Sequence, residues 1–208
     1  GPKFNPFFVP KMIADICAGH ISIKYGFHGP NFITSSACAS STNALADAFN
    51  LIRLGKADVI VSGGAEAAIT AAGVGGFTAM HALSTRNDEP QKASRPFSAS
   101  RDGFVMAEGG AVLILEELEH AKARGAKIYA EVVGYGSTCD AYHVTAPAEE
   151  AIASGKAIRI AAEGLEGVVP EAIYINAHGT GTPLNEKTET RAIKNAFGEE
   201  DARKVHIS

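Results

Sequence analysis

Ser35-Ser36-Ala37-Cys38-Ala39-Ser40-Ser41 decides the fold of this chain, because it places a lone cysteine at the joint between a strand and a helix. The residues before it, Asn31-Phe32-Ile33-Thr34, predict a short apolar strand. Apolar side chains recur at helical spacing from Ala44 to Ile52, and Gly55 is a suitable helix stop. The stretch therefore predicts a strand that turns directly into a helix.

Cys38 is a candidate nucleophile because of this position. At such a joint the sulfur lies along the unpaired N–H groups of the first helical turn, whose partial positive charge favours a thiolate. The alternative is a small inert residue, since buried cysteines are common and most strand-to-helix turns catalyse nothing. The cysteine alone leaves both interpretations open.

A second feature favours the catalytic interpretation. Residues 172–175 predict a buried strand that runs into Asn176-Ala177-His178-Gly179-Thr180-Gly181-Thr182-Pro183. The glycines and hydroxyls after His178 allow the backbone to approach a ligand closely. Cys38 and His178 each follow the C-terminal end of a predicted strand, the edge of an open α/β sheet at which ligands bind. A cysteine with a histidine is also the pair that acyl transfer through a thioester requires.

Composition argues against several classes of function. The chain has 208 residues, 46% of them hydrophobic, which is enough for a sizeable core. No run reaches the roughly 18 apolar residues of a membrane span, and the first residues do not resemble a secretion signal, so we expect a cytoplasmic protein that does not enter membranes. The formal net charge of −4 argues against a nucleic-acid partner. The three cysteines form no CxxC pair, which argues against disulfides and against a metal site.

The remaining elements are predicted from pattern alone. We expect a helix after Pro6 and a long functional loop over residues 75–100. Strands are predicted at residues 58–62, 110–115 and 127–135, and helices are predicted to end at Gly125 and to begin near Asn185.

These motifs resemble, in their order along the chain, those of the β-ketoacyl-acyl carrier protein synthases, the condensing enzymes of fatty acid and polyketide synthesis. The likeness is greatest to the type II elongating synthases of bacteria, and it is weakest over residues 148–169. The segments that carry it are Ser36-Ala37-Cys38-Ala39-Ser40 and residues 58–66, 75–77, 82–87, 94–97, 101–105, 140–143 and 176–183.

The resemblance implies an α/β fold of the thiolase-like type, a layered αβαβα arrangement of duplicated halves with mixed sheets. Residues 1–125 are then expected to belong to the N-terminal half and residues 126–208 to the C-terminal half. In the family a lysine, a second catalytic histidine and a gating loop follow the segment that corresponds to Ser208. We therefore expect an incomplete chain that does not condense substrates by itself.

The resemblance also implies the reaction, a decarboxylative Claisen condensation that extends a fatty acyl chain. In this acyltransferase chemistry Cys38 carries the acyl group, and His178 stabilises the enolate that malonyl-acyl carrier protein forms on losing CO₂. Thr180, Thr182 and Thr145 resemble the hydroxyls that bind the pantetheine arm.

Three further residues receive roles from the resemblance. Phe77 resembles a residue of the acyl pocket, with plain core packing as an equal alternative. Glu189 resembles the residue that holds the missing lysine, and Lys3 lies near the rim where acyl carrier protein docks. We expect no cofactor beyond the phosphopantetheine that the substrates carry. A homodimer is expected to pair through the strand before Cys38.

Other members of the superfamily and one non-catalytic class are the alternatives. A polyketide ketosynthase uses the same chemistry, and the motifs leave both the pathway and the acyl chain length open. Thiolases and starter-unit synthases usually carry different residues in place of residues 178–183. A non-catalytic partner subunit of the chain-length-factor type would lack the cysteine, so Cys38 argues against it.

Overall fold

A computed structural model describes residues 3–208, which form two compact units. The first unit consists of the described residues up to Ala65 together with Gly109–Ala130. The second unit consists of Glu66–Glu108 and Glu131–Ser208. Each unit is thus built from two separate stretches of the chain. The expected boundary between two halves, after residue 125, stays a prediction.

The described residues contain α-helices and short strands, and three of the helices precede the first strand. The α-helices are α1 (Phe8–Met12), α2 (Ile16–Tyr25), α3 (Ser40–Arg53), α4 (Ala71–Ala79), α5 (Leu118–Ala123), α6 (Ile152–Ala162) and α7 (Pro183–Phe197). The strands are β1 (Val59–Glu66), β2 (Gly109–Glu116), β3 (Tyr174–Ile175) and β4 (His206–Ile207).

In the first unit, α3 confirms the helix predicted after Cys38, and β1 and β2 confirm two predicted strands. The chain leaves α3 at Gly55, which has the left-handed φ of +63° that glycine adopts without strain. β1 and β2 are neighbours in one sheet. A Cβ at Gly63 of β1 would overlap the carbonyl oxygen of Ala111 in β2, so this glycine permits the strands to approach closely.

Two predicted strands are wrong. Residues 31–34 and 127–135 have no regular secondary structure, although both runs are rich in apolar or β-branched residues. A strand needs a neighbour for its backbone hydrogen bonds. Within the described part of the chain no strand pairs with either segment.

Two predicted boundaries also change. The helix expected after Pro6 is divided into α1 and α2, and α4 occupies the start of the loop expected over residues 75–100. The hydroxyl of Thr70 accepts a hydrogen bond from the Gly73 N–H at 3.1 Å and so caps the first turn of α4. This cap stabilises a helix in a glycine-rich segment whose composition favours a loop.

In the second unit, β3 and β4 pair in parallel, with Tyr174 opposite His206. α6 and α7 pack closely against each other, because Gly155 of α6 has no Cβ to collide with Asn195 of α7. Ala192 and Ile193 of α7 are 2% exposed and belong to the core of this unit. The loop that carries His178 lies between β3 and α7 and is therefore held at both ends.

None of the helices found in residues 3–208 combines the length and the apolar character that a bilayer crossing needs.

Candidate active site

A strained turn presents Cys38 at the start of α3. Residues Ala37–Ala39 form one turn of 3₁₀ helix that runs directly into α3. Ala37 has a φ of +52°, in the left-handed region that costs a non-glycine residue about 1–2 kcal/mol. The thiol of Cys38 is exposed, which does not fit the alternative of a small interior residue.

Neutral side chains hold this turn in place. The Ser40 hydroxyl donates to the Ala37 carbonyl at 2.7 Å and accepts from the Ser36 N–H at 2.9 Å. The Asn43 amide donates to the Ser36 hydroxyl at 2.6 Å, and the Thr34 hydroxyl donates to the Ser40 carbonyl at 2.8 Å. These bonds offset the strain at Ala37 and bring no carboxylate to the turn.

The backbone of β1 packs against the first turn of α3, beside Cys38. A Cβ on Gly64 of β1 would overlap the hydroxyl of Ser41 and come within 3.0 Å of its Cβ. The first turn of α3 therefore rests directly on the backbone of β1, and glycine at residue 64 is a requirement of the packing.

Cys17 also lies in the first turn of a helix. Cys17 is the second residue of α2, whose N-cap is Asp15, and its thiol is exposed. Cys139 is exposed and lies outside every helix and strand. The two helix-terminal cysteines differ in their surroundings, because an acidic residue precedes only Cys17 within its turn.

The cavity of the first unit does not include the cysteine. Its volume is about 420 Å³, and α2, α3, β1 and residues 26–34 line it. Cys38 is not among the lining residues. This cavity therefore does not contain the candidate nucleophile.

The loop that carries His178 is held by Glu189 of α7. One carboxylate oxygen of Glu189 accepts from the His178 N–H at 2.6 Å, and the other accepts from the Gly179 N–H at 3.0 Å. The Asn185 amide also donates to Glu189, at 3.1 Å. The imidazole of His178 is exposed, and no residue of the described chain hydrogen-bonds its ring. The ring is therefore free to meet a substrate.

Two threonine hydroxyls follow His178 on the same loop. The hydroxyls of Thr180 and Thr182 are 2.9 Å apart and hydrogen-bond each other. Thr182 is the N-cap of α7, but its side chain makes no capping bond. Gly181 between them is buried, with a φ of +76°.

An ion pair in the second unit also holds this loop. Glu186 of α7 is 3% exposed and accepts from the Gly181 N–H at 2.7 Å. Arg101 pairs with Glu186 at 2.7 Å and donates to the carbonyls of Thr182 at 3.2 Å and Pro183 at 2.8 Å. Two charged side chains therefore fix the backbone on both sides of Thr182.

Gly103, two residues after Arg101, adds a backbone contact with this loop. The Gly103 N–H donates to the Gly181 carbonyl at 3.0 Å. Asp102 accepts from the Thr85 N–H at 3.1 Å and pairs with Arg95 at 2.8 Å. Hydrogen bonds from the Ser84 side chain and the Thr85 N–H, with the charge of Arg95, hold the pKa of Asp102 below its usual value.

The other residues predicted for the site lie as follows. Thr145 is exposed, and its N–H donates to the His143 ring at 3.2 Å. Phe77 is 37% exposed and packs edge-on against Phe104 at 5.1 Å between ring centroids, which fits both of its interpretations. Lys3 is exposed.

The structure brings His178, Thr180, Thr182 and Glu189 together on one loop and helix of the second unit, and Phe77 and Thr145 belong to the same unit. Cys38 and Lys3 belong to the first unit. Sequence reasoning missed Arg101 and Glu186 as supporting residues. The sequence indicates them only weakly: Arg101 lies two residues before Gly103, and Glu186 is an acidic residue soon after the glycine-rich loop.

This chain belongs to the β-ketoacyl synthase family. Residues 2–121 match the family described as "Beta-ketoacyl synthase, N-terminal domain", and residues 129–208 match "Beta-ketoacyl synthase, C-terminal domain".

Curated relatives carry the name 3-oxoacyl-acyl-carrier-protein synthase 2. The chain is 54% identical over 95% of its length to that of Synechocystis sp., and 50% identical over its whole length to that of Vibrio cholerae. It covers 48% of the former and 50% of the latter. The chain therefore spans about half the length of the curated relatives it matches.

Solved structures confirm the thiolase-like ketosynthase fold. A type II polyketide ketosynthase, in complex with its acyl-carrier protein and bound to a hexaketide, superposes with a TM-score of 0.92 at 38% identity, over 98% of this chain and 50% of that one. A β-ketoacyl synthase from Burkholderia phymatum gives 0.81 at 41% identity, over 90% of this chain and 45% of that one.

Proposed function

We propose that the complete protein is an acyltransferase that condenses an acyl group held on Cys38 with malonyl-acyl carrier protein and so elongates a fatty acyl chain. The observation that carries this proposal is the exposed thiol of Cys38 at the start of α3 in a chain of this family. The curated relatives named as 3-oxoacyl-acyl-carrier-protein synthases support the fatty acid pathway.

The first half-reaction loads the enzyme. The Cys38 sulfur, as thiolate, attacks the carbonyl carbon of an acyl thioester, the bond from that carbon to the pantetheine sulfur breaks, and pantetheine leaves as a thiolate. The helix N-terminus at Ser40 attracts an anionic sulfur, so this step needs no positioned general base. The acyl group is then a thioester of Cys38.

The second half-reaction forms the carbon–carbon bond. The carboxylate of malonyl-carrier leaves as CO₂, and its bonding electron pair becomes an enolate. The free ring of His178 donates a hydrogen bond to the enolate oxygen, where negative charge develops. The enolate carbon attacks the acyl-cysteine carbonyl, the Cys38 thiolate leaves, and the product is a β-ketoacyl chain two carbons longer.

The binding of the carrier's phosphopantetheine arm is assigned to Thr180, Thr182 and Thr145. The paired hydroxyls of Thr180 and Thr182 are partly buried on the loop that also carries His178. Lys3 is the proposed contact for the acidic carrier protein. Residues 1–208 alone supply one imidazole donor of this kind, and we propose that they do not condense substrates without the rest of the protein.

Location in the cytosol is part of the same proposal. Cys17, Cys38 and Cys139 are all free and exposed, a state that a reducing compartment maintains.

The test is His178→Ala in the complete protein. Acyl transfer to Cys38 is expected to continue, whereas decarboxylation of malonyl-carrier falls about a hundredfold because one enolate donor is lost. Mass spectrometry then detects accumulated acyl-enzyme. Equal losses of acylation and decarboxylation contradict the division of roles. Extension of a polyketide starter but of no fatty acyl-carrier would move the protein to the polyketide pathway.

A further inference from the structure

We infer that Arg101 and Glu186 are positioning residues, which hold the hydroxyls of Thr180 and Thr182 where the pantetheine arm binds. This inference rests on the proposed function, because it assigns those hydroxyls to the arm. Neither Arg101 nor Glu186 is proposed to touch a substrate. They act through the backbone of residues 181–183.

Arg101 directs most of its donors to this loop. Its Nε donates to the Thr182 carbonyl at 3.2 Å, and its Nη2 donates to the Pro183 carbonyl at 2.8 Å. The remaining nitrogen donates to the Ser98 carbonyl at 3.0 Å. A guanidinium presents its donors in a fixed plane, so it sets both the distance and the orientation of the two carbonyls.

Glu186 fixes the peptide group at Gly181, which precedes Thr182. Its carboxylate accepts from the Gly181 N–H at 2.7 Å, while the Gly181 carbonyl accepts from the Gly103 N–H at 3.0 Å. Both polar groups of Gly181 are therefore occupied, and this residue lies between the two threonines. A Cβ on Gly181 would come within 2.8 Å of the Gly103 carbonyl, so the two backbone segments are in direct contact.

The hydroxyl of Thr182 indicates what this rigidity is for. At the N-cap of a helix, a threonine hydroxyl usually accepts a hydrogen bond from the helix backbone. Thr182 makes no such bond, and its hydroxyl lies 2.9 Å from that of Thr180. Helix α7 therefore lacks a stabilising side-chain cap, and the loop presents the hydroxyls of Thr180 and Thr182 next to each other.

The burial of Glu186 favours a specific role over general stabilisation. Glu186 is 3% exposed and pairs with a side chain that is 19% exposed. Burying such a pair costs desolvation that its attraction only partly offsets, so apolar residues would stabilise the position at least as well. The pair is explained by the precise backbone geometry that it imposes.

The chain supplies a matched control. Arg95 is 14% exposed, pairs with Asp102 at 2.8 Å and donates to the Ala93 carbonyl at 2.8 Å. It lies in the same unit, but among the described residues its side chain makes no hydrogen bond or ion pair with residues 180–183. Arg95→Lys therefore disturbs a similar ion pair without touching the threonine loop.

The experiment compares two acyl donors on the complete protein and on its Arg101→Lys and Glu186→Gln variants. One donor is acyl-pantetheine, and the other is the same acyl group as a thioester of ethanethiol, which has no arm to bind. For acyl-pantetheine we expect kcat/KM to fall about tenfold, mainly through KM, because the hydroxyls are displaced. For the ethanethiol ester and for alkylation of Cys38 by iodoacetamide we expect less than a twofold change. Arg95→Lys should leave the ratio of the two donors unchanged.

A double-mutant cycle then tests the route through Thr182. In a Thr182→Val background the Arg101→Lys change should add little to the loss with acyl-pantetheine, because both changes remove the same contact. Equal losses with both donors, full additivity with Thr182→Val, or no loss at all would each overturn the inference. If the unmodified protein transfers no acyl group from acyl-pantetheine to Cys38, the proposed function is overturned, and the inference with it. Glu186→Gln replaces one oxygen and keeps an acceptor for Gly181, so it also serves if Arg101→Lys does not fold.

Discussion

The reactivity of Cys38 depends on individual residues around it. The left-handed Ala37 and the hydrogen bonds of Ser36 and Ser40 expose the thiol at the start of α3. Cys17 occupies a comparable place in α2, so position in a helix does not by itself distinguish the two. The nearby charge does, because Asp15 is the N-cap beside Cys17.

We predict that limiting iodoacetamide modifies Cys38 of the complete protein before Cys17 and Cys139. The carboxylate of Asp15 repels an anionic sulfur at Cys17, and Cys139 has no helix N-terminus to stabilise one. Peptide mapping over time measures the order, and an acyl chain loaded beforehand should protect Cys38. As a control, Asp15→Asn should accelerate alkylation of Cys17 only. Faster alkylation of Cys17 or Cys139 in the unmodified protein would contradict the assignment of Cys38 as the nucleophile.

At the scale of elements, contacts between strands and helices set the geometry of the turn. Gly64 of β1 lies directly against Ser41 of α3, with no room for a Cβ. This contact joins the strand to the helix that begins beside the cysteine.

We predict that Gly64→Ala slows alkylation of Cys38 several-fold and lowers the free energy of unfolding by about 1–3 kcal/mol, because the added methyl displaces Ser41 and the first turn of α3. Gly19→Ala is the matched control in α2, where a Cβ meets nothing within 4 Å, and it should leave the alkylation rate unchanged. Stopped-flow alkylation and urea unfolding give the two quantities. An unchanged rate in Gly64→Ala would show that β1 does not position the turn.

A charge cluster joins the end of β2 to α5. Glu116 accepts from Arg124 through both carboxylate oxygens, at 2.7 and 2.6 Å, and lies 2.6 Å from the Nδ1 atom of His120. His120 thus has a partner that the sequence did not indicate. The hydrogen bond from Arg124, with a smaller effect of His120, lowers the pKa of Glu116 from 4.5 to about 2.

We predict that this cluster makes stability depend on pH. Because the pKa of Glu116 is lower in the folded chain, its contribution is complete above the unfolded value of 4.5 and is lost as the pH falls toward about 2. Urea midpoints of the complete protein and of Glu116→Gln should therefore differ at pH 7 and converge near pH 2. A difference that stays constant across this range would contradict the assignment.

At the scale of the whole molecule, apolar surface is concentrated near the start of the described chain. Phe4 is 73% exposed, Met12 70% and Phe32 53%, and the segment 31–35 lacks a strand partner within residues 3–208. Exposed apolar side chains beside unpaired backbone favour association with another surface. They support the proposal of a homodimer that pairs through residues 31–35.

We predict that the complete protein is a dimer in light scattering and that Ile33→Asp shifts it to monomer, because a charge would be buried at the interface. Val144→Asp is the control, since Val144 is 96% exposed and lies outside that segment. A stable monomer of the unmodified protein, or equal effects of the two variants, would contradict pairing at residues 31–35.

The sequence by itself determined the elements whose pattern is local. Helical spacing after Cys38 predicted α3, apolar runs predicted β1 and β2, and residues 172–175 predicted a strand whose second half is β3. The order of the motifs over nearly the whole chain also indicates the family. These features depend on neighbours a few residues apart, which a single sequence displays.

Tertiary structure alone decided which apolar runs pair and which charges meet. Residues 31–34 and 127–135 have the composition of strands but no partner in the described chain, and strand formation requires one. Arg101 and Glu186 are 85 residues apart in sequence and become an ion pair only when the loop that carries Arg101 packs against α7. Spacing along the chain does not encode such contacts, because their energy depends on the folded backbone that surrounds them.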